Sequence, residues 1–137
     1  TSVTSTGGPV ICERAMYESP SSPAIRLMGH DSIGATVGGL EWYLAEGATA
    51  GGFETWVLVQ NPNATPVDID IRFQTGGCEG AGPTDTIPAH SRKSYLVNSW
   101  VSTFDVSTKV TSDQPVVAER AVYWNNRKEG HDSIGSQ

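Results

Sequence analysis

The sequence predicts an all-β protein: an immunoglobulin-like antiparallel β-sandwich of about seven strands, preceded by an N-terminal strand segment duplicated from the same unit. Three observations carry this. Residues 67–74, VDIDIRFQ, alternate apolar and polar side chains. Short apolar or β-branched runs recur between Gly/Pro clusters at 34–39, 47–52, 76–83 and 112–115, and no segment has a 3.6-residue period. Two phrases, ERA-x-Y and GHDSIG, stand near both ends of a chain only 137 residues long.

In chain order, residues 9–17 form the first strand expected, and residues 41–45, EWYLA, the second. Residues 53–60, FETWVLVQ, are apolar on both faces, which marks a central strand. In 67–74, Val67, Ile69, Ile71 and Phe73 share one face. Asp68, Asp70, Arg72 and Gln74 share the other, so this strand is half-buried. Between these two runs, NPNATP reads as the turn of an antiparallel hairpin, because Asn and Pro favour turns and stop ladders. Residues 92–97, 103–110 and 115–124 complete the set; Phe104, Val106, Thr108 and Val110 share a face.

The two ends of the chain align. Val3-Thr4-Ser5 matches Val110-Thr111-Ser112, Pro9-Val10 matches Pro115-Val116, and Glu13-Arg14-Ala15 matches Glu119-Arg120-Ala121. Tyr17 matches Tyr123, and residues 29–34 match 130–135. Fifteen of the twenty-six residues from 110 to 135 are identical to their partners, too many for chance. A fixed period of this length means a repeated domain rather than a solenoid turn. Residues 1–34 read as the tail of a preceding repeat, and 35–137 as one full repeat. The first copy carries a longer loop, ESPSSPAIRLM, at 18–28.

Composition narrows the function. Net charge is −6, and no Lys/Arg cluster exists. Nucleic acid and anionic membrane surfaces, which need a basic footprint, are not expected partners. No apolar run approaches the ~20 residues of a membrane span. No signal peptide is visible, and the chain reads as a piece of a longer or processed protein. Few lysines, many Thr, Ser and Gly, and four Trp fit a secreted or surface β protein. Cys12 and Cys78 allow one disulfide there; the alternative is two free thiols.

Several residues invite a chemical reading. GHDSIG holds His30, Asp31 and Ser32, and its copy holds His131, Asp132 and Ser133. Three neighbours in a row cannot aim at one reacting atom, so the phrase reads as a structural corner rather than a catalytic triad. Neither a cofactor nor a metal is expected: Asp68 and Asp70 are too few for calcium, and GHDSIG too poor in ligands for zinc. Glu13-Arg14 and Glu119-Arg120 lie inside apolar strands, so one of each pair points inward; Glu46 is the expected partner of Arg120. Asn63 opens a glycosylation sequon, although Pro66 follows it. Trp42, Tyr43, Trp56, Trp100 and Trp124 suit either core packing or stacking on sugars.

WYLAEG, GGFETWVLVQNPN, PVVAERAVYW and GHDSIG, in this order, resemble a repeat of unknown function found in large secreted prokaryotic proteins. The NPN stretch is also similar to bacterial immunoglobulin-like surface modules. The resemblance implies tandem extracellular sandwiches and brings no catalytic residue. The expected function is therefore structural, not enzymatic. Units would join copies of themselves head to tail in an extracellular filament or stalk, by strand addition at the junction. Junction residues would be Pro9, Val10, Ile11, Glu13, Arg14, Tyr17, His30 and Asp31 on one side. Glu119, Arg120, Tyr123, Trp124, His131 and Asp132 would serve on the other. The alternative is a carbohydrate-binding or adhesive module whose partners are surface glycans.

Overall fold

The computed structural model describes residues 1–18 and 28–137. The longer first-copy loop expected at 18–28 therefore lies, but for its two end residues, outside the described residues. Nine strands are described: β1 (Glu13–Glu18), β2 (Met28–Ile33), β3 (Gly39–Leu44), β4 (Glu54–Gln60), β5 (Val67–Gln74), β6 (Glu79–Ile87), β7 (Arg92–Leu96), β8 (Ser107–Trp124) and β9 (Glu129–Ile134). Every pairing is antiparallel. Among the described residues no helix is long and apolar enough to cross a membrane.

The seven strands β3–β9 form an antiparallel β-sandwich around β8. The first part of this 18-residue strand, up to Ser112, pairs with β5, which in turn pairs with β6. It also pairs with β3. From Val117 onward its partners are β4, itself paired with β7, and β9. One strand thus serves both layers and changes partners around Pro115, where a missing N–H costs no ladder bond. Val67, Ile69, Ile71 and Phe73 of β5 meet Val57 and Val59 of β4 and Val110, Val116 and Ala118 of β8 in one core. Trp42 closes it from β3 and donates its indole N–H to the Val116 carbonyl at 2.8 Å.

Four expectations about the strands and turns need correction. First, β4 and β5 are not a hairpin: they lie in different layers, each beside β8. NPNATP is an arch across the sandwich, plugged by Asn61, which is fully buried and donates to Thr65 O, Ile87 O and Pro88 O. Second, the glycine-rich stretch at 76–83 contains most of β6. The absence of a side chain at Gly82 is what admits β5, since a Cβ there would lie 2.7 Å from both Ile71 O and a Phe73 ring carbon. Third, residues 103–110 and 115–124 are not two strands, for β8 runs unbroken through 112–115. Fourth, GHDSIG is strand, not corner. Gly130 sits opposite Tyr123, whose ring would be 2.6 Å from a Cβ at that position, and Gly29 relates to Tyr17 in the same way.

Cys12 and Cys78 are both free, which corrects the expected disulfide. Cys12 leads into β1, while Cys78 stands in the β5–β6 turn, hydrogen-bonded through its carbonyl to Thr75. Asn63 is also committed: its side-chain nitrogen, the atom a glycan would bond, donates to Asn61 Oδ1 at 2.9 Å and to Pro115 O at 2.8 Å.

Candidate functional site at the hairpin–sheet junction

The sequence repeat is a repeat of structure. In the β1–β2 hairpin Glu13 stands opposite Ile33, Arg14 opposite Ser32 and Tyr17 opposite Gly29. In the second half of β8 with β9, Glu119 stands opposite Ile134, Arg120 opposite Ser133 and Tyr123 opposite Gly130. Even the closing bond is shared, Gly34 N to Cys12 O at 2.9 Å and Gly135 N to Ala118 O at 3.0 Å. The same sequence folds to the same hairpin twice.

Strand addition would place the first hairpin on a sheet edge. Instead, among the described residues, β1 and β2 ladder only with each other, and the hairpin meets β8 and β9 through side chains, with Trp56 and Leu58 of β4 across the groove. Alternation decides which side chains can meet it. Ala118, Arg120 and Val122 point into the core, so Glu119, Ala121 and Tyr123 project from the outer face. Ala121 is nonetheless buried, because the hairpin covers it.

At the centre, Arg14 donates to Glu119 Oε1 at 2.9 Å and also binds Asp132 Oδ2. His30 Nδ1 lies 2.8 Å from Asp132 Oδ1, close enough for an ion pair but off the alignment of a hydrogen bond. The His30 and Asp132 side chains are almost wholly buried, while Glu119 and Arg14 keep some solvent contact. The His30 ring meets Tyr123 edge-on at 6.0 Å. Burial works against the Arg14 charge, but Glu119 and then Asp132 outweigh it and hold its pKa above the ordinary value. Burial, and then the charge of Asp132, pushes the Tyr123 phenol up. A guanidinium fork between two carboxylates fixes orientation as well as affinity.

Beside this cluster a groove of about 590 Å³ runs between hairpin and sheet. Met16, Tyr17 and Met28 line it from the hairpin, and Trp56, Leu58 and Arg92 from the sheet. Arg127 holds Glu54 with two guanidinium nitrogens and lies 5.8 Å from the Trp56 ring.

Of the expected junction residues, the structure brings together Arg14, Tyr17, His30, Glu119, Tyr123 and Asp132. Pro9, Val10 and Ile11 precede β1 and are exposed, and Glu13 and Asp31 occupy the exposed back of the hairpin. Trp124 packs beside Phe53 and His131 instead. Arg120 faces the core, where its NH1 donates to the main-chain carbonyl of Glu46 at 2.5 Å, with the carboxylate 4.0 Å away. Met16, Met28, Leu58 and Arg92 were not foreseen, and Trp56 was named only among the aromatics suited to packing or to stacking on sugars. The apolar outer positions of FETWVLVQ were the available signal. Among the described residues no group of three or more His, Cys, Asp or Glu is placed to hold a metal ion.

The fold has solved counterparts. The structure of Thermotoga maritima 1070 superposes with a TM-score of 0.65 at 15% identity, covering 72% of this chain and 94% of that one. The Anabaena sensory rhodopsin transducer superposes with a TM-score of 0.53 at 23% identity, covering 64% of this chain and 99% of that one. At these identities the likeness establishes the fold alone. No family model and no curated protein matches the sequence.

Proposed function

We propose that the chain is a structural unit of the cell exterior which joins copies of itself head to tail into a filament or stalk. The junction is the last hairpin of one unit seated on the outer sheet face of the next. One observation carries this reading: β1–β2 repeats the sandwich's own terminal hairpin in register and in most of its residues, yet sits on the outside of a complete sandwich. Its seat is heterologous, since Arg14 and His30 belong to the hairpin while Glu119 and Asp132 belong to the sheet. Made between copies, contacts of this kind form a ring where the rotation closes and an open filament where it does not, and the proposal is the open case. Secretion is supported by the composition and by the resemblance to secreted repeats. Negative-stain electron microscopy of native material tests the reading. Rods with one fixed axial repeat are expected, and dispersed particles or beads at irregular spacing would overturn it.

The groove favours a second reading, a carbohydrate or adhesive site. Trp56, Tyr17 and Tyr123 line it, and aromatic faces beside carboxylates and arginines suit sugar rings. Under that reading Trp56→Ala abolishes glycan-array binding; an array on which the wild type itself binds nothing removes it.

A further inference from the structure

The sandwich β3–β9 already owns a terminal hairpin, so β1–β2 is a second copy of an element the fold needs once. Its main-chain ladder is with itself alone. Only residues 34–38 tie it to β3, and 34–37 of these are exposed. Among the described residues side chains alone make its seat, and the fit is incomplete: the groove stays open, and Arg14 Nε and His30 Nε2 are buried with no hydrogen-bond partner among those residues. An element docked in this way makes the same contacts whether the sheet belongs to its own chain or to another.

We infer that the β1–β2 hairpin exchanges between chains, leaving its own sheet to occupy the β4–β8–β9 face of a second copy of this protein. The inference rests on the head-to-tail reading and names the partner of that junction: the same sequence, in trans. Exchange of an identical element is a low-cost route to assembly, because every native contact is remade. Short hinges invite it. The opposing factor is the effective concentration of the tethered hairpin, in the millimolar range for short linkers, which favours the closed form in dilute solution. Charge makes the exchange selective. Donors lie on the hairpin and acceptors on the sheet, so like faces repel and only hairpin on sheet is satisfied.

Two variants separate the possibilities. Arg14→Glu spoils the hairpin but leaves the sheet intact; Glu119→Arg spoils the sheet but leaves the hairpin intact. Each alone is expected to remain a monomer of 14.6 kDa by light scattering. Mixed one to one, each hairpin finds its better-matched sheet on the other chain, and the mass is expected to double, with the dimer fraction at least ten-fold above either variant alone. The Arg14→Glu/Glu119→Arg double variant, in one chain, is expected to regain wild-type hydrogen-exchange protection over residues 13–17. A mixture that stays monomeric while the double variant regains protection overturns the exchange and leaves the junction within one chain standing. A double variant that regains nothing overturns the charge-matched seat, and the exchange with it.

Discussion

Asn61 is the side chain on which the arch between the two layers depends, and its removal has a calculable cost. Its exposure is zero. Nδ2 donates to Thr65 O at 2.8 Å, Ile87 O at 3.0 Å and Pro88 O at 3.1 Å, and Oδ1 accepts from Asn63 N at 2.8 Å and Asn63 Nδ2 at 2.9 Å. A neutral hydrogen bond contributes about 1 kcal/mol net, and a buried main-chain group left without its partner costs more. With two donor protons and two accepted bonds lost together, Asn61→Ala should cost about 3–4 kcal/mol. That is a large share of the ~5–15 kcal/mol that holds a domain together. The urea midpoint should fall by about 1.5–2 M and the melting temperature by roughly 10 °C. Asn61→Asp is the sharper probe. It keeps the acceptor but turns a carboxylate towards three carbonyls in a buried site, which raises its pKa in the folded state. The folded state then holds the proton more tightly than the unfolded one, so this variant gains stability as pH falls from 7 towards 4. At pH 7 it should be the less stable of the two. A loss below about 1 kcal/mol for Asn61→Ala, or an Asp variant as stable at pH 7 as at pH 4, would refute the reasoning.

The remaining predictions concern steric fit, titration, redox state and the core arginine. Gly130→Ala should cost about 2–3 kcal/mol in a thermal melt, because the new Cβ meets the Val122 carbonyl at 2.9 Å as well as the Tyr123 ring. Gly29→Ala should cost less than Gly130→Ala, because the nearest main-chain atom to its new Cβ, the Met16 carbonyl oxygen, lies at 3.3 Å instead of 2.9 Å. Burial, and then Asp85, pushes the Tyr95 phenol up, so its contribution is complete below the ordinary tyrosine value of about 10 and is lost as pH rises beyond it; Tyr95→Phe should flatten that alkaline loss in urea melts. Asp85 is held low by its bond from Lys93 against the opposing pull of burial, so its share is present above the ordinary aspartate value of about 4 and lost as pH falls; Lys93→Met should flatten the acid limb. The Cys12→Ser/Cys78→Ser double variant should melt with wild type, with or without reductant, whereas a bridge over that loop would have contributed roughly 4 kcal/mol. Arg120→Met should stay within about 1 kcal/mol of wild type because it fills the same volume, while Arg120→Ala should lose about 2–3 kcal/mol.

The parts of the fold legible in the sequence are those where one residue's burial decides its identity. β5 is one: Val67, Ile69, Ile71 and Phe73 are buried because one face of the strand meets the core and the other meets water. Pairing is not encoded so locally. NPNATP has turn chemistry, but whether a turn returns a strand beside its predecessor or carries it to the opposite layer depends on the carbonyls that Asn61 finds at Ile87 and Pro88, more than twenty residues away. β6 hides behind its glycines, of which Gly82 admits Ile71 and Phe73 of the neighbouring strand. β8 reads as two strands because Pro115 marks a change of partners, which looks like an end when only one chain segment is considered. In the junction, repetition alone picks out Arg14, His30, Tyr123 and Asp132. It says nothing of Trp56 or Leu58, whose apolar outer positions resemble those of any central strand.

Arg14 and Arg120 hold equivalent positions in the two hairpins, and their surroundings differ. Arg120 belongs to a hairpin already fixed by main-chain bonds to β4, so its guanidinium needs one carbonyl, and burial pushes its pKa down. Arg14 belongs to a hairpin with no such ladder, and two carboxylates meet it and push its pKa up. Those carboxylates are the informative residues. Glu119 and Asp132 project from the outer face of a sandwich whose core is complete without them, and their sequence counterparts Glu13 and Asp31 stand exposed on the back of the first hairpin. The partners of Glu119 and Asp132, Arg14 and His30, come from the first hairpin, and this is the contact that the proposed head-to-tail junction would repeat between units.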